Sequence, residues 1–278
     1  MISAAAISEG IESLPTLPES VARLTILLQD ERSTIGDFEH AVHADPAVTA
    51  NLLRAANSAY YHSDEPITTA GEAIARIGLN RVCEVAVAAS YRRALPVRIS
   101  GYGINAVQFW MHSAATAVFA EALSREMLLP HPAIAFTAGL LHDVGKLVVG
   151  GFLALLTPES NWWDFGNAAE ERRLLGSNHC DVGQAISYRW NLPQQIGHAC
   201  RWHHEPAETA GWDVEDLAEI VHAADHLAYL AGFLGSAGKG EELEPSVQQR
   251  LKLTPDKREQ MVARFREEVL QVGSIAAG

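Results

Sequence analysis

Apolar residues recur at helical spacing along nearly the whole chain, and the alternating patterns that would mark strands are missing. Leu17, Val21, Leu24 and Leu28 form the first stripe, with Pro18 where a first turn tolerates it and Asp30 closing the run. A second helix is expected over residues 34–44. Asp45-Pro46 then restarts the chain: Asp suits a cap, Pro suits the first helical position, and Val48, Leu52, Leu53 and Ala56 supply a buried stripe that ends near Asn57-Ser58. Helices over 70–77 and 80–95 follow, separated by Gly78, which can leave the helical conformation at little cost. Residues 96–103 hold Pro96, Gly101 and Gly103 without helical periodicity and mark the expected junction between an N-terminal helical lobe, 1–95, and a larger second lobe, 96–278.

Beyond the junction the pattern predicts helices over 104–127, 132–155, 161–175, 179–190, 193–203 and 214–234. A Gly-rich acidic break at 235–244 follows. A last amphipathic helix starts at Thr254-Pro255 and runs to about residue 272. The fold class is therefore all-α, two helical lobes.

Composition narrows the function classes. Apolar residues make up 48% of the 278, ample for a core. Lys and Arg number 21 against 34 Asp and Glu, a net charge of −13, which repels nucleic-acid phosphates; no nucleic-acid partner is expected. Cys83, Cys180 and Cys200 show no CxxC spacing, which fits a reducing, cytoplasmic setting rather than a disulfide framework. The longest apolar region, 133–156, is interrupted by His142, Asp143 and Lys146, so neither a membrane span nor a membrane partner is expected.

Those interruptions are the chain's most informative chemistry. Nine of the twelve histidines lie between His112 and His226. A single His on an apolar helix is ordinarily a core residue with hydrogen-bonded ring nitrogens, and Asp143 beside Lys146 can be read as a buried ion pair. Burying Asp143, Lys146 and His142 together is nevertheless costly unless each is fully paired, and imidazole with carboxylate is a ligand set for divalent iron, manganese, zinc or nickel. His203-His204 before Pro206 and Asp225 between alanines and His226 offer further donors, with His222 on the Asp225 face and His179 just past Ser177-Asn178.

In order along the chain these residues resemble the HD superfamily of metal-dependent phosphohydrolases, and more closely its HDOD branch, the HD-related output domain of bacterial signalling proteins. The similar segments are Leu14-Pro15-Thr16-Leu17-Pro18, Asp45-Pro46, Leu53, Asn57-Ser58, Ala73-Ile74, Ile77-Gly78-Leu79, Phe109-Trp110, His112-Ser113, the 138–146 stretch, Trp190-Asn191-Leu192-Pro193, His203-His204 and Ala224-Asp225. The resemblance implies an HD-like second lobe and a regulatory role with a signalling protein as partner, commonly without catalysis. By likeness to the catalytic HD and HD-GYP pattern, His112, His142, Asp143 and Asp225 would hold one ion, and Asp143 would bridge to a second held by His179 and His203 or His204. Lys146 would contact phosphate, so a phosphate-containing small molecule is the alternative partner and phosphohydrolysis, with Asp143 and Lys146 as catalytic residues, the alternative function. An iron-based oxygenase or oxygen sensor is a third reading, since a dinuclear His/carboxylate site is chemically open to dioxygen. Two departures count against catalysis: the segment after the His pair, Glu205 to Trp212, has no Gly-Tyr-Pro signature, and Gln108 stands where a trinuclear HD-GYP site has Glu. One or two ions are expected.

Overall fold

The computed structural model describes residues 3–58, 66–96, 98–156, 167–209, 215–236, 240 and 242–275. Within them the chain is all-α. The elements of the first part are α1 Ala4–Ser13, α2 Glu19–Leu27, α3 Ile35–His43, α4 Pro46–Ala56 and α5 Ala70–Ala94. After a two-stranded ribbon come α6 Ala106–Glu126, α7 Pro132–Leu141, α8 Lys146–Leu156, α9 Ala168–Leu175, α10 His179–Arg189, α11 Gln194–Trp202, α12 Glu215–Leu230, α13 Pro245–Arg250 and α14 Pro255–Ile275.

Local chemistry sets the starts. The Thr34 hydroxyl accepts from the Asp37 N–H while the Asp37 carboxylate takes the Thr34 N–H, closing a capping box on α3. Asp45 accepts from the N–H groups of Ala47 and Val48 to open α4. Each such cap is worth about 1 kcal/mol. Gly78, with φ +81°, interrupts α5 where the sequence places a boundary.

Helices α2 to α5 pack on one another, while α6 lies against α7, α12 and α14, and α10 against α11. Trp110 of α6 is buried and its indole N–H donates to the Gly273 carbonyl, fixing α14 across the bundle. The α1 helix packs on α8 and α10, held by Arg189, whose guanidinium donates to the carbonyls of Leu14 and Glu12. The buried apolar side chains form one connected cluster from Leu17 to Val272.

The structure departs from the sequence reading in three places. The helix expected over 132–155 is broken: α7 ends at Leu141, residues 142–145 form a tight turn with Lys146 N–H donating to the Asp143 carbonyl, and α8 begins at Lys146. The cause is tertiary, because a Cβ on Gly145 would lie 1.9 Å from the His179 carbonyl oxygen, so the backbone of this turn touches the start of α10. Strand is also present, as the ribbon β1 Arg98–Ile99 and β2 Ile104–Asn105 within and beside the expected junction. Helices α1 and α13 are not anticipated either: α1 buries none of its residues and α13 is six residues long. Residues 161–166 of the expected 161–175 helix, and Trp162, Trp163 and Trp212, which the sequence offered as lobe packing or partner surface, lie outside the described residues. The 132–156 stretch is apolar and long enough to cross a membrane by composition, but 67% of its most apolar window is buried inside the bundle.

Candidate metal centre

Five segments deliver the candidate ligands to one place. His112 comes from the second turn of α6, and His142 and Asp143 from the turn between α7 and α8. His179 is the first residue of α10, set there by the Asn178 capping box with Asp181. His203 and His204 follow α11, and Asp225 lies within α12. His112, His142, Asp143, His179 and His203 are all at most 3% exposed; Asp225 and His204 sit nearer the surface.

Ring orientation is the decisive detail. The Nδ1 atoms of His112, His142 and His203 lie 2.9, 2.7 and 2.9 Å from the carbonyl oxygens of Phe233, Gly139 and Cys200. A carbonyl only accepts, so each Nδ1 carries the hydrogen and each Nε2 presents a lone pair. His179 is oriented in the same way by the Glu171 carboxylate, 2.7 Å from its Nδ1. These Nε2 atoms face one another: 3.3 Å between His112 and His142, and 3.0 Å between His179 and His204. Lone pairs brought this close in a buried space require a proton or a cation between them. The Nε2 of His203 and Oδ1 of Asp143 are buried with no hydrogen-bond partner.

Asp143 spans the cluster with its two oxygens. Oδ2 lies 3.4 Å from His142 Nε2 and 3.7 Å from His112 Nε2, while Oδ1 lies 3.4 Å from His179 Nε2 and 3.9 Å from His203 Nε2. Asp225 Oδ1 is 3.1 Å from His112 Nε2 and 3.9 Å from His142 Nε2. The donor atoms fall into three overlapping groups, each within 4.8 Å: His112, His142 and Asp225; His142, Asp143 and His203; His179, Cys180, His203 and His204. Each group could hold a metal ion, and the outward-turned Nδ1 bonds supply the outer support that metal-bound histidines ordinarily have.

Electrostatics point the same way. Burial would raise Asp143, but Lys146 and His142 hold its carboxyl well below the usual carboxylate range. Asp225 is also held low, with the His112 hydrogen bond and charge outweighing burial. Burial, then the neighbouring imidazoles of His204, His142 and His179, hold His203 well below the ordinary imidazole value. Burial opposes charge on His112, yet its hydrogen bond to Asp225 and the charges of Asp225 and Asp143 raise it above the ordinary imidazole value. Ionised carboxylates and a neutral imidazole are the states that ligation demands.

Lys146 is brought into the site, but its ammonium is spent on Asp143 Oδ2, 2.6 Å away, and on the Gly235 carbonyl at 3.4 Å. Burial would lower its pKa and Asp143 raises it. His222 serves a different purpose from ligation: its Nδ1 donates to the His203 carbonyl, 2.7 Å away, and its Nε2 accepts the Glu244 N–H, bracing the His pair.

Glu171 is a site residue the sequence does not reveal. In the run Ala168-Ala169-Glu170-Glu171-Arg172-Arg173 it reads as one charge of a solvated face, yet it is fully buried, accepting from His179 Nδ1, the His179 N–H and the Tyr102 hydroxyl. Burial would raise its carboxyl, but His179 holds it below the usual value. Only the turn of α9 against α10 makes it part of the centre.

Comparison with known proteins identifies the family and the fold. The HDOD domain model matches residues 14–206. An uncharacterised protein of Treponema pallidum (strain Nichols) is 24% identical over 209 residues, 72% of this chain; the chain spans 39% of that protein's length. The fold is similar to a provisionally named signal transduction protein from Marinobacter aquaeolei VT8, with TM-score 0.77, 20% identity, and coverage of 99% of this chain and 65% of that one. It is also similar to a provisionally named phosphohydrolase from Shewanella amazonensis SB2B, with TM-score 0.69, 20% identity and 98% of each chain covered.

Proposed function

The chain belongs to the HDOD family, and from that premise we infer that it is a regulatory module of bacterial signal transduction built around a His/Asp centre for one or two divalent transition-metal ions. One ion is assigned to His112, His142, Asp143 and Asp225, the other to Asp143, His179, His203 and His204. The observation that carries this reading is the convergence of Nε2 lone pairs on the two oxygens of Asp143, with the Nδ1 atoms of His112, His142, His179 and His203 bonded outward. The likeness to a signal transduction protein supports the role, and three buried free thiols accord with a cytoplasmic setting.

Bound ions of this kind polarise a phosphate or water oxygen. The chain's own residues favour holding over turnover: Asp143 bridges, Glu171 and three backbone carbonyls fix the rings, and Lys146 neutralises Asp143 rather than standing ready for a substrate. A signalling protein is the proposed partner.

Phosphodiester hydrolysis is the second reading, favoured by the buried Lys146 ammonium beside the shared carboxylate, where it would meet phosphate charge if Asp143 turned wholly to metal. Elemental analysis of the protein after reconstitution separates the outcomes. One or two ions per chain are expected in the wild type, with a large loss in Asp143→Asn; no uptake of iron, manganese, zinc or nickel would overturn the metal centre. With metal bound, equal background rates on bis(p-nitrophenyl) phosphate in wild type and Asp143→Asn support the regulatory module. Metal-dependent turnover abolished in the variant would shift the assignment to hydrolysis.

A further inference from the structure

The sequence sets Cys180 aside for lack of CxxC spacing, yet the fold carries its sulfur into the second half of the centre. Resting on the metal-centre reading above, we propose that Cys180 is a thiolate ligand there, joining His179, His203 and His204 in a His3Cys site that selects zinc or a similar borderline ion.

The other two cysteines provide the contrast. Cys83 donates its S–H to the Leu24 carbonyl at 3.3 Å and Cys200 to the Leu141 carbonyl at 3.4 Å, as buried structural thiols do. Cys180, equally buried, instead places Sγ 3.5 Å from the His179 Nε2. That nitrogen is 3.0 Å from the His204 Nε2, the His203 and His204 ring centroids are 4.0 Å apart with the planes tilted by 45°, and one donor atom from each of the four residues lies within 4.8 Å of all the others. For tetrahedral zinc, bond lengths of about 2.0–2.1 Å to nitrogen and 2.3 Å to sulfur give edges of about 3.3 Å between nitrogens and about 3.6 Å between nitrogen and sulfur. The contacts of 3.0 and 3.5 Å are close to those edges. A second observation, independent of the cysteine, points to an ion in the same place: the His203 Nε2 is fully buried, faces this group and has no hydrogen-bond partner.

The assignment divides labour within the centre. Four protein donors close a tetrahedral ion, as in structural zinc sites, and coordination deprotonates the thiol outright. Cys180 thereby takes the fourth place given above to Asp143, and Asp143 Oδ1, 3.4 Å from His179 Nε2, links this closed half to the other rather than completing it. The three-donor group of His112, His142 and Asp225, with Asp225 nearest the surface, keeps an open position. A thiolate also excludes magnesium and calcium and disfavours manganese in the closed half.

The full chain, stripped of metal and reloaded with Co(II) and separately with Zn(II), tests this. The expected result is a sulfur-to-cobalt charge-transfer band in the near ultraviolet and one sulfur at about 2.3 Å in zinc-edge X-ray absorption. Both signals should vanish in Cys180→Ser and persist in Cys200→Ser. Zinc affinity of the closed half should fall about tenfold or more in Cys180→Ser, since even outer-shell changes cost that much. Should Cys180→Ser fail to fold, Cys180→Ala gives the same spectroscopic readout, and the wild-type absorption data decide the point without any variant. An ion bound by nitrogen and oxygen alone, or a band unchanged in Cys180→Ser, overturns the thiolate assignment while leaving the metal centre standing. No metal uptake at all overturns both.

Discussion

His112 and Glu121 stand nine residues apart on α6, about 13 Å along its axis, and each belongs to a buried polar cluster. Around Glu121 the chain supplies its own counter-charge: Arg125 donates to Glu121, and Arg81 reaches Glu84 at 2.8 Å and Glu268 of α14 at 2.7 Å. The arginines sit at i−3 and i+4 from their partners, so helix geometry alone brings them together. The remaining mismatch is met by a proton, since burial first and the Glu121 carboxylate second push the Glu84 carboxyl up to about 8. Around His112 there are many acceptors and one cation, Lys146, already committed to Asp143. The comparison teaches that a buried cluster balanced by arginines closes on itself, whereas one with surplus lone pairs calls for an ion from outside. The first cluster borders a cavity of ≈ 410 Å³ and is a structural knot; the second is the candidate metal centre.

The sharpest way to break this contrast is Asp143→Ala. Lys146 would be left buried beside one backbone carbonyl, and removing one partner of a buried ion pair costs about 3–5 kcal/mol. Stabilisation by bound metal would be lost in addition. Denaturant unfolding of wild type and variant, each with and without metal, measures both parts. A loss below about 1 kcal/mol without metal would mean that Lys146 finds other partners and that the His cluster is as self-sufficient as the Glu cluster.

The Glu84→Gln variant tests the other side with a smaller effect. A folded carboxyl that titrates near 8 keeps a proton that the unfolded chain releases near its ordinary value of 4.5. The folded state therefore binds more protons across that window, and its stability is full below about pH 4.5 and declines as pH rises towards 8. The slope from one such group is at most about 1.4 kcal/mol per pH unit, so a decline of up to about 3 kcal/mol between pH 5 and 8 is expected in the wild type. Glutamine cannot titrate, so the variant should be nearly flat over that range, with metal content unchanged. A wild-type slope surviving in Glu84→Gln would place the proton elsewhere and remove the contrast in how the two clusters are neutralised.

The two clusters also differ in how far they can be read from sequence. His142, Asp143, His203, His204 and Asp225 stand out because polar groups interrupt apolar helices, and the order of motifs is similar to HDOD proteins. The break between α7 and α8 is illegible in the apolar pattern, because it follows from the approach of Gly145 to His179, a contact made 34 residues later in the chain. Glu171 and Cys180 are hidden for a related reason: a charge in an acidic-basic run and a lone cysteine acquire meaning only when α9, α10 and α11 are packed. Glu84 looks like any helix-surface acid until α6 and α14 cover it. Helix caps, by contrast, are local and therefore visible, as Asp45 shows; α1, which buries none of its residues, and α13, six residues long, are not.

The smallest effect comes from the start of the shared helix. Asn105 accepts from the Gln108 N–H and the Gln108 side chain takes the Asn105 N–H, so Asn105→Ala opens a capping box and should cost about 1 kcal/mol. If His112 were held only by the helix, fraying its first turn would loosen the metal centre as well. Its ring is instead tied to the Phe233 carbonyl at 2.9 Å and faces Asp225 of α12, so its position is set from across the bundle. Metal affinity should change less than about twofold, while Glu84 of α5, which meets Glu121 near the far end of α6, keeps its titration. Paired calorimetric unfolding and zinc titration of Asn105→Ala check this. A tenfold loss of zinc affinity would show that the centre depends on the helix start and not on cross-bundle support, and the two ends of α6 would then be coupled rather than independent.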